Sequence, residues 1–354
     1  MLISQDPLEV TLELAPRARF DVVELRSQLP NEYRDALGSF PQCLYWSAHT
    51  TAGFLDRSLA ARLGPSRVPT YVDALRSVFP EGAGYAHDRL ERRQDLDAAQ
   101  RAVEPRNADS HLAFIAGGLC SCVTHPNRSG EAVCFVELDG MNDGRPRKRQ
   151  VRVIGFRRET VVAQTRIDVP LSRHPIESVN LKDPRFGIYD RLRDFVARAG
   201  IGRGRLHVAL DASERHAALT VNEFETLLMK HDLRAVLRDP LRFMAAQYRS
   251  ALANPRAVPG KALGYAKYDL VRVFNSGLDT LGLQDSIVEK VLARTLAAPA
   301  ARFFRIRRSV HLLVAERDGR PDLIEGTYQS PILIQWQRSP LPVRALHVTL
   351  TRLD

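Results

Sequence analysis

The chain opens on an alternation of apolar and polar positions, LEVTLEL over residues 8–14, whose period of two predicts a strand with one buried face. An amphipathic segment, DVVELRSQL, comes next, and then an apolar run, CLYWSA, that ends at His49 in HTTAG. Downstream the pattern predicts a helix from Tyr71 to Phe79, a Gly-rich loop EGAGYAHD and a charged helical stretch RLERRQDLDAAQRAVE. The small-residue segment NADSHLAFIAGGL and two strand-like runs, EAVCFVEL and RQVRVIGF, complete this part. Near Val161 the pattern starts again. VVAQTRIDV reads as a strand, IYDRLRDFVARAG as a helix and LHVAL as a strand; ERHAALTVNEFETLLMKHDLRAVL and a helical insert follow. SVHLLVAERDG, TYQSPILIQW and VRALHVTL then close the chain as strands, so the order strand, helix, strand, helix, hairpin occurs twice.

The two passes can be compared residue by residue. Placing Ala52 over Ala217 sets HTTAGFLDRS on ERHAALTVNE, at a shift of close to half the chain. Each copy continues into an Asp on a helical stretch, Asp73 in YVDALRSVF and Asp232 in KHDLRAVL, and GYAHDRL then falls on GYAKYDL, with His87 over Lys267. Matches that recur in order point to a tandem duplication, with domains over residues 1–159 and 160–354.

Length agrees, since 354 residues suffice for two domains with separate cores. An apolar share of 44% with 26% charged residues is that of a globular protein. The start, MLISQDPLEV, has neither a basic nor an apolar leader segment, and no run approaches the roughly eighteen apolar residues of a membrane helix. The expectation is a cytoplasmic protein without a membrane partner. All four cysteines, Cys43, Cys120, Cys122 and Cys134, precede residue 135 and lack CxxC spacing, which favours reduced buried thiols. A net charge of +10 is spread along the chain. Its densest run, RPRKRQVRVIGFRR, alternates Arg with Val and Ile as a half-solvated strand would, and without interleaved aromatic residues it gives no reason to expect nucleic acid. Arginines there also suit the oxygens of a phosphorylated small molecule.

The order H-T-T-A, D-A-L-R, P-x-x-x-x-Y-x-H-D, N-A-D-S-H-L and G-G-L resembles the YjbQ-like family, the secondary thiamine-phosphate synthase enzymes. That pattern runs H-T-S-A-x-x-x-x-N-E, an Asp on a helix, Y-x-H, a small-residue loop ending in His, and G-T-W-Q before a final hairpin. The first half supplies three of its histidines, His49, His87 and His111; the second supplies Asn222 and Glu223 in LTVNE and the GTYQ of Gly326 to Gln329. Neither half is complete. Arg57 and Ser58 stand where the family has Asn-Glu, Glu214 and Lys267 replace the first two histidines in the second copy, and Glu131 falls near the glutamine position of the first. The resemblance implies an α+β fold: two tandem YjbQ-like domains, mixed and antiparallel β-sheets packed with helices, in a pseudo-dimeric chain. It also implies sheets that pack together in trimers, hence a homo-oligomer such as a trimer of fused pairs.

Three neutral imidazoles can hold a divalent ion, zinc above all, and leave a position for water or substrate. His49, His87 and His111 are the metal ligands that the resemblance implies, each expected at a loop or element end. Asp88 and Asp109 are candidate acceptors that fix the imidazole tautomers, or else solvated loop carboxylates. Glu223 is the candidate acid or base and Gln329 the group that would orient a substrate, with helix capping the rival role for Asn222 and Glu223. His125 sits in a turn-like CVTHPNRSG, at the site or on the surface; Lys261 in PGKALGYAKY lacks the rest of a phosphate loop. The resemblance implies joining a pyrimidine diphosphate to a thiazole phosphate, so a small phosphorylated or anionic substrate is expected. A metal-dependent hydrolase, a non-catalytic metal- or metabolite-binding protein and an assembly protein are the alternatives. No GxxxxGK[ST], strand-linked GxGxxG, GxSxG or HExxH occurs, which removes support for P-loop, Rossmann, serine-hydrolase and zincin chemistry.

Overall fold

In the computed structural model the described residues are 6–93, 96–128, 131–172, 177–224, 232, 307–337 and 339–354. Residues 225–231 of the expected second-half helix, the GYAKYDL match with Lys267, Lys261 and His174 lie outside them. The elements are β1 (Leu8–Leu14), β2 (Asp21–Glu24), α1 (Leu25–Gln28), α2 (Asn31–Gly38), β3 (Gln42–Ser47), β4 (Ala52–Phe54), α3 (Arg57–Leu63), α4 (Val68–Val78), α5 (Ala98–Val103) and α6 (Ala108–Ala116). They continue with β5 (Cys122–Pro126), β6 (Cys134–Glu137), β7 (Met141–Asn142), β8 (Arg145–Pro146), β9 (Arg149–Phe156), β10 (Glu159–Pro170), β11 (Glu177–Asn180) and α7 (Ile188–Ala199). β12 (Arg203–Leu210), β13 (Ala217–Asn222), β14 (Ser309–Arg317), β15 (Arg320–Ile324), β16 (Ser330–Gln335) and β17 (Val343–Leu353) complete the set.

Two compact units emerge. The first comprises Met1–Pro69, Gly118–Phe224 and Ile306–Asp354; the second comprises Thr70–Gly117 and Glu225–Arg305. Each draws on both halves of the sequence. The class is mixed α+β with antiparallel sheets packed with helices, as the resemblance implied.

The first unit holds a four-stranded sheet ordered β1-β9-β3-β5 and a five-stranded sheet ordered β10-β17-β12-β14-β15. Two three-stranded sheets, β2-β6-β4 and β11-β16-β13, accompany them. Strand order is the same in the two halves, with β10, β17, β12 and β14 in the places of β1, β9, β3 and β5, and β11, β16 and β13 in those of β2, β6 and β4. Register agrees as well: Ala52 pairs with Glu137, and Ala217 with Gln335.

Alternation explains how the strands pack. In β1 the buried Val10, Leu12 and Leu14 alternate with the exposed Thr11 and Glu13, and the buried set joins Val151, Val153, Phe54 and Phe135 in the first core. In β12 Leu206, Val208 and Leu210 enter a second core with Ile188, Leu192 and Val196 of α7, spaced to give that helix one apolar face. From Val153 to Phe156, β9 is buried on both faces. Val151 and Val153 point into the first core, while Ile154 and Phe156 join Leu44, Trp46, Cys122, Leu313 and Leu353 in a third cluster contributed by both halves. Removing a large side chain from such a cluster costs about 3–5 kcal/mol.

Some expectations change at the local level. DVVELRSQL divides into β2 and the one-turn helix α1, capped by the Glu24 carboxylate, which accepts from the N–H groups of Arg26 and Ser27. Within RLERRQDLDAAQRAVE only α5 is α-helical among the described residues, starting at an Asp97/Gln100 capping box. NADSHLAFIAGGL is helix α6, every residue of which is buried. A helix buried all round shows no amphipathic period, which is why the pattern gave only a small-residue segment.

Candidate functional site

His49 lies in the loop between β3 and β4, in the first unit. The second half holds that loop by three contacts. Gln329 Nε2 donates to the carbonyl oxygens of Ser47 at 2.8 Å and His49 at 3.1 Å, and its Oε1 accepts from Gly326 N–H at 3.0 Å. Asn222 Nδ2 donates to Thr50 O at 2.8 Å, while its Oδ1 accepts the Glu223 N–H at 2.8 Å. At Gly326 the backbones approach so closely that a Cβ would stand 2.0 Å from Ala48 O, a position only glycine can fill. The pieces of the family motif absent from the first half therefore surround the loop that carries its first histidine. Gln329 and Asn222 are buried, with their side-chain amides engaged by backbone, and Glu223 is half-buried beside them.

From the first half, Arg149 reaches the same loop. Its Nε donates to Glu137 Oε2 at 2.5 Å, and its Nη2 to Glu137 Oε1 at 2.9 Å, Asp139 O at 2.8 Å and Thr51 Oγ1 at 3.4 Å. Nη1 stands 3.4 Å from His49 Nδ1. On the other side of the ring, Nε2 accepts the Gln150 N–H at 3.1 Å. Arg147 pairs with Asp139 at 3.1 Å. Burial, and then the charges of Arg149 and Arg147, push the His49 pKa down to about 4, so the imidazole is neutral at neutral pH. A ring nitrogen whose lone pair accepts an N–H has none left for an ion, so presenting Nε2 to a metal requires the ring to leave Gln150.

His87 and His111 lie in the second unit. His87 is in a turn and His111 in the interior of α6, not at an element end as expected. Both are buried, and their rings meet edge to face with centroids 5.3 Å apart. His87 Nε2 is 3.2 Å from Asn107 Oδ1. Asp232, from the second half, fixes the turn: its two carboxylate oxygens accept the N–H groups of Ala86 and His87, each at 2.9 Å. Burial raises the Asp232 pKa and those two bonds oppose the rise. Asp88 Oδ1 accepts the Ala108 N–H at 3.0 Å at the start of α6, and the buried Asp109 lies in that helix's first turn. Both carboxylates thus sit where a helix leaves donors unpaired and its dipole favours negative charge. Among the described residues no three His, Cys, Asp or Glu side chains are grouped to hold a metal.

His125 is neither at a surface turn nor beside the His49 loop contacts. It is buried in β5, its Nε2 3.2 Å from Leu55 O and its ring edge-on to Tyr45. The four cysteines are free and buried, and burial pushes the Cys43 and Cys122 thiols up to about 12. Sequence reasoning missed Arg149 and Glu137, because a basic run reads as a solvated face. The available signal was that Arg149 opens β9 on the same strand face as the apolar Val151 and Val153, which alternation predicts to be buried.

No protein-family model and no curated protein matches the chain. Among solved structures, similar chains include a YbjQ-like protein of unknown function from Sulfolobus solfataricus P2, 16% identical, covering 55% of this chain and 99% of the other at a TM-score of 0.31. A hypothetical protein from Aeropyrum pernix K1 is 18% identical, with coverages of 53% and 97% and a TM-score of 0.29. An uncharacterized conserved protein of the YjbQ family from Clostridium acetobutylicum is 13% identical, with coverages of 52% and 98% and a TM-score of 0.30. Each aligns over almost its whole length to about half of this chain.

Proposed function

We propose that the chain is a metal-dependent enzyme acting on a small phosphorylated or otherwise anionic metabolite, with His87 and His111 as imidazole ligands of a divalent ion, zinc first. The observation that supports this is the buried edge-to-face pair, with centroids 5.3 Å apart, between His111 of α6 and His87 on a turn tied down by Asp232. Two imidazoles supply two of the ligands a catalytic zinc takes. His49 is the third ligand that the family resemblance implies. When bound, the ion would neutralise a leaving diphosphate or activate water. Glu223, half-buried beside the Asn222 contact to Thr50, is the acid or base of this reading.

The recurrent strand order and the shared register of Ala52 and Ala217 support descent by tandem duplication. The sequence resemblance to YjbQ-like proteins makes thiamine-phosphate formation from a pyrimidine diphosphate and a thiazole phosphate the first reaction to assay. Phosphate-ester hydrolysis comes second. The expected result is turnover that needs a divalent ion and falls by more than about tenfold in His87→Ala and His111→Ala. Turnover indifferent to chelation and to both substitutions contradicts the proposal. A non-catalytic metal- or metabolite-binding protein is the second reading, favoured by the engagement of His49 Nε2 and of the Gln329 amide by backbone groups.

A further inference from the structure

The contacts of Arg149 have a counterpart in the second half. Arg344, near the start of β17 as Arg149 is at the start of β9, is also buried. Its Nε donates to Gln335 Oε1 at 3.1 Å, where Arg149 Nε meets Glu137, and its Nη2 to Gln337 O at 2.9 Å, where Arg149 meets Asp139 O. Arg344 Nη1 donates to Glu214 Oε2 at 2.7 Å, and Glu214 is the residue that sequence alignment sets on His49. Even the backbone contact recurs: the residue after each arginine donates its N–H to the loop side chain, Gln150 to His49 Nε2 at 3.1 Å and Ala345 to Glu214 Oε1 at 2.8 Å.

We infer that Arg149 and Glu137 are positioning residues for His49, and that Arg344, Gln335 and Glu214 are the same clamp with its carboxylate moved from strand to loop. A buried guanidinium needs a carboxylate partner, because an uncompensated charge away from water is costly. In the second half the strand residue Gln335 is neutral, so the loop residue Glu214 carries the charge and is locked by it. In the first half Glu137 carries the charge from the strand, which leaves the loop position to a neutral imidazole. Each clamp thus contains one arginine, one carboxylate and one neutral polar group. The clamp exists independently of the metal reading; only the use made of His49 rests on that reading.

A mutant cycle tests it. Glu137→Gln strands Arg149 without a carboxylate and lowers Tm by at least about 5 °C. His49→Glu alone adds a second carboxylate and is also destabilising. The double variant reproduces the second-half trio, and we expect it to recover at least half of the Tm lost in Glu137→Gln. A double variant as unstable as the sum of its parts overturns the inference. If Glu137→Gln does not fold, the reciprocal cycle of Gln335→Glu and Glu214→His is read by the same criterion. For positioning, the His49 ring resonances, assigned with His49→Gln, are compared in wild type and Arg149→Lys. Displaced His49 resonances with His111 resonances unmoved are expected, and an unchanged His49 signature contradicts the role. None of these readouts requires a bound metal, so their failure and that of the metalloenzyme reading are distinguishable.

Discussion

At the scale of single residues, the buried amides do the joining. Gln329 satisfies the Ser47 and His49 carbonyls and the Gly326 N–H at once, at 2.8, 3.1 and 3.0 Å. Truncating it removes all three of these hydrogen bonds in a place where Gln329 itself is only 2% exposed. An unsatisfied buried polar group costs about 1–3 kcal/mol, so Gln329→Ala is expected to lower the urea-unfolding free energy by about 2 kcal/mol or more. A change below about 0.5 kcal/mol means that the loop holds itself. Sequence reasoning cast Gln329 as a substrate-orienting group; its hydrogen bonds give it a loop-holding task that no motif spacing reveals.

Strands carry a second consequence. His207 on β12 and His311 on β14 face each other in register and stack with centroids 4.6 Å apart, with Arg205 Nη1 3.2 Å from His311 Nδ1. Arg205 is in turn paired with Glu159, which also accepts from Thr351. Burial, and then the charges of Arg205 and Arg307, hold both histidines below the ordinary value of 6.5, although Glu159 opposes the shift at His207. A histidine depressed in the folded state binds its proton first in the unfolded state, so the stability it contributes is present above about pH 6.5 and lost as pH falls below it. His49 behaves likewise down to about pH 4. Unfolding measured from pH 7.5 to 5 should show falling stability below about 6.5, with a shallower fall in His311→Gln. Equal slopes in the two proteins contradict this account. Neither histidine announced itself in the sequence, since cross-strand register decides which side chains stack and periodicity gives only the face. Strand positions such as β1, β3, β9, β10 and β12 were legible from alternation or apolar runs. Helix α6 was not, being buried on every side.

Over the whole molecule, the sequence repeat and the compact units follow different boundaries. Strands from both halves share the first unit, joined by the cluster of Leu44, Trp46, Ile154, Phe156, Leu313 and Leu353. Motif fragments split between the halves meet there, with Asn222 and Gln329 on the His49 loop, and in the second unit Asp232 holds the His87 turn. Incompleteness of each half in sequence is therefore matched by exchange of contacts in space. The candidate residues were legible because histidines and motif glycines stand out by type; their partners Arg149, Glu137 and Asn107 were not, because common polar residues acquire a role only through position. The central claim is that His87 and His111 hold a divalent ion. Metal content of the purified protein by mass spectrometry, in wild type, His87→Ala and His111→Ala, tests it most directly. About one zinc or similar ion per chain in wild type, lost in both variants with the fold intact by circular dichroism, is the predicted result. A folded wild type that carries no metal and gains no thermal stability from added divalent ions would contradict it.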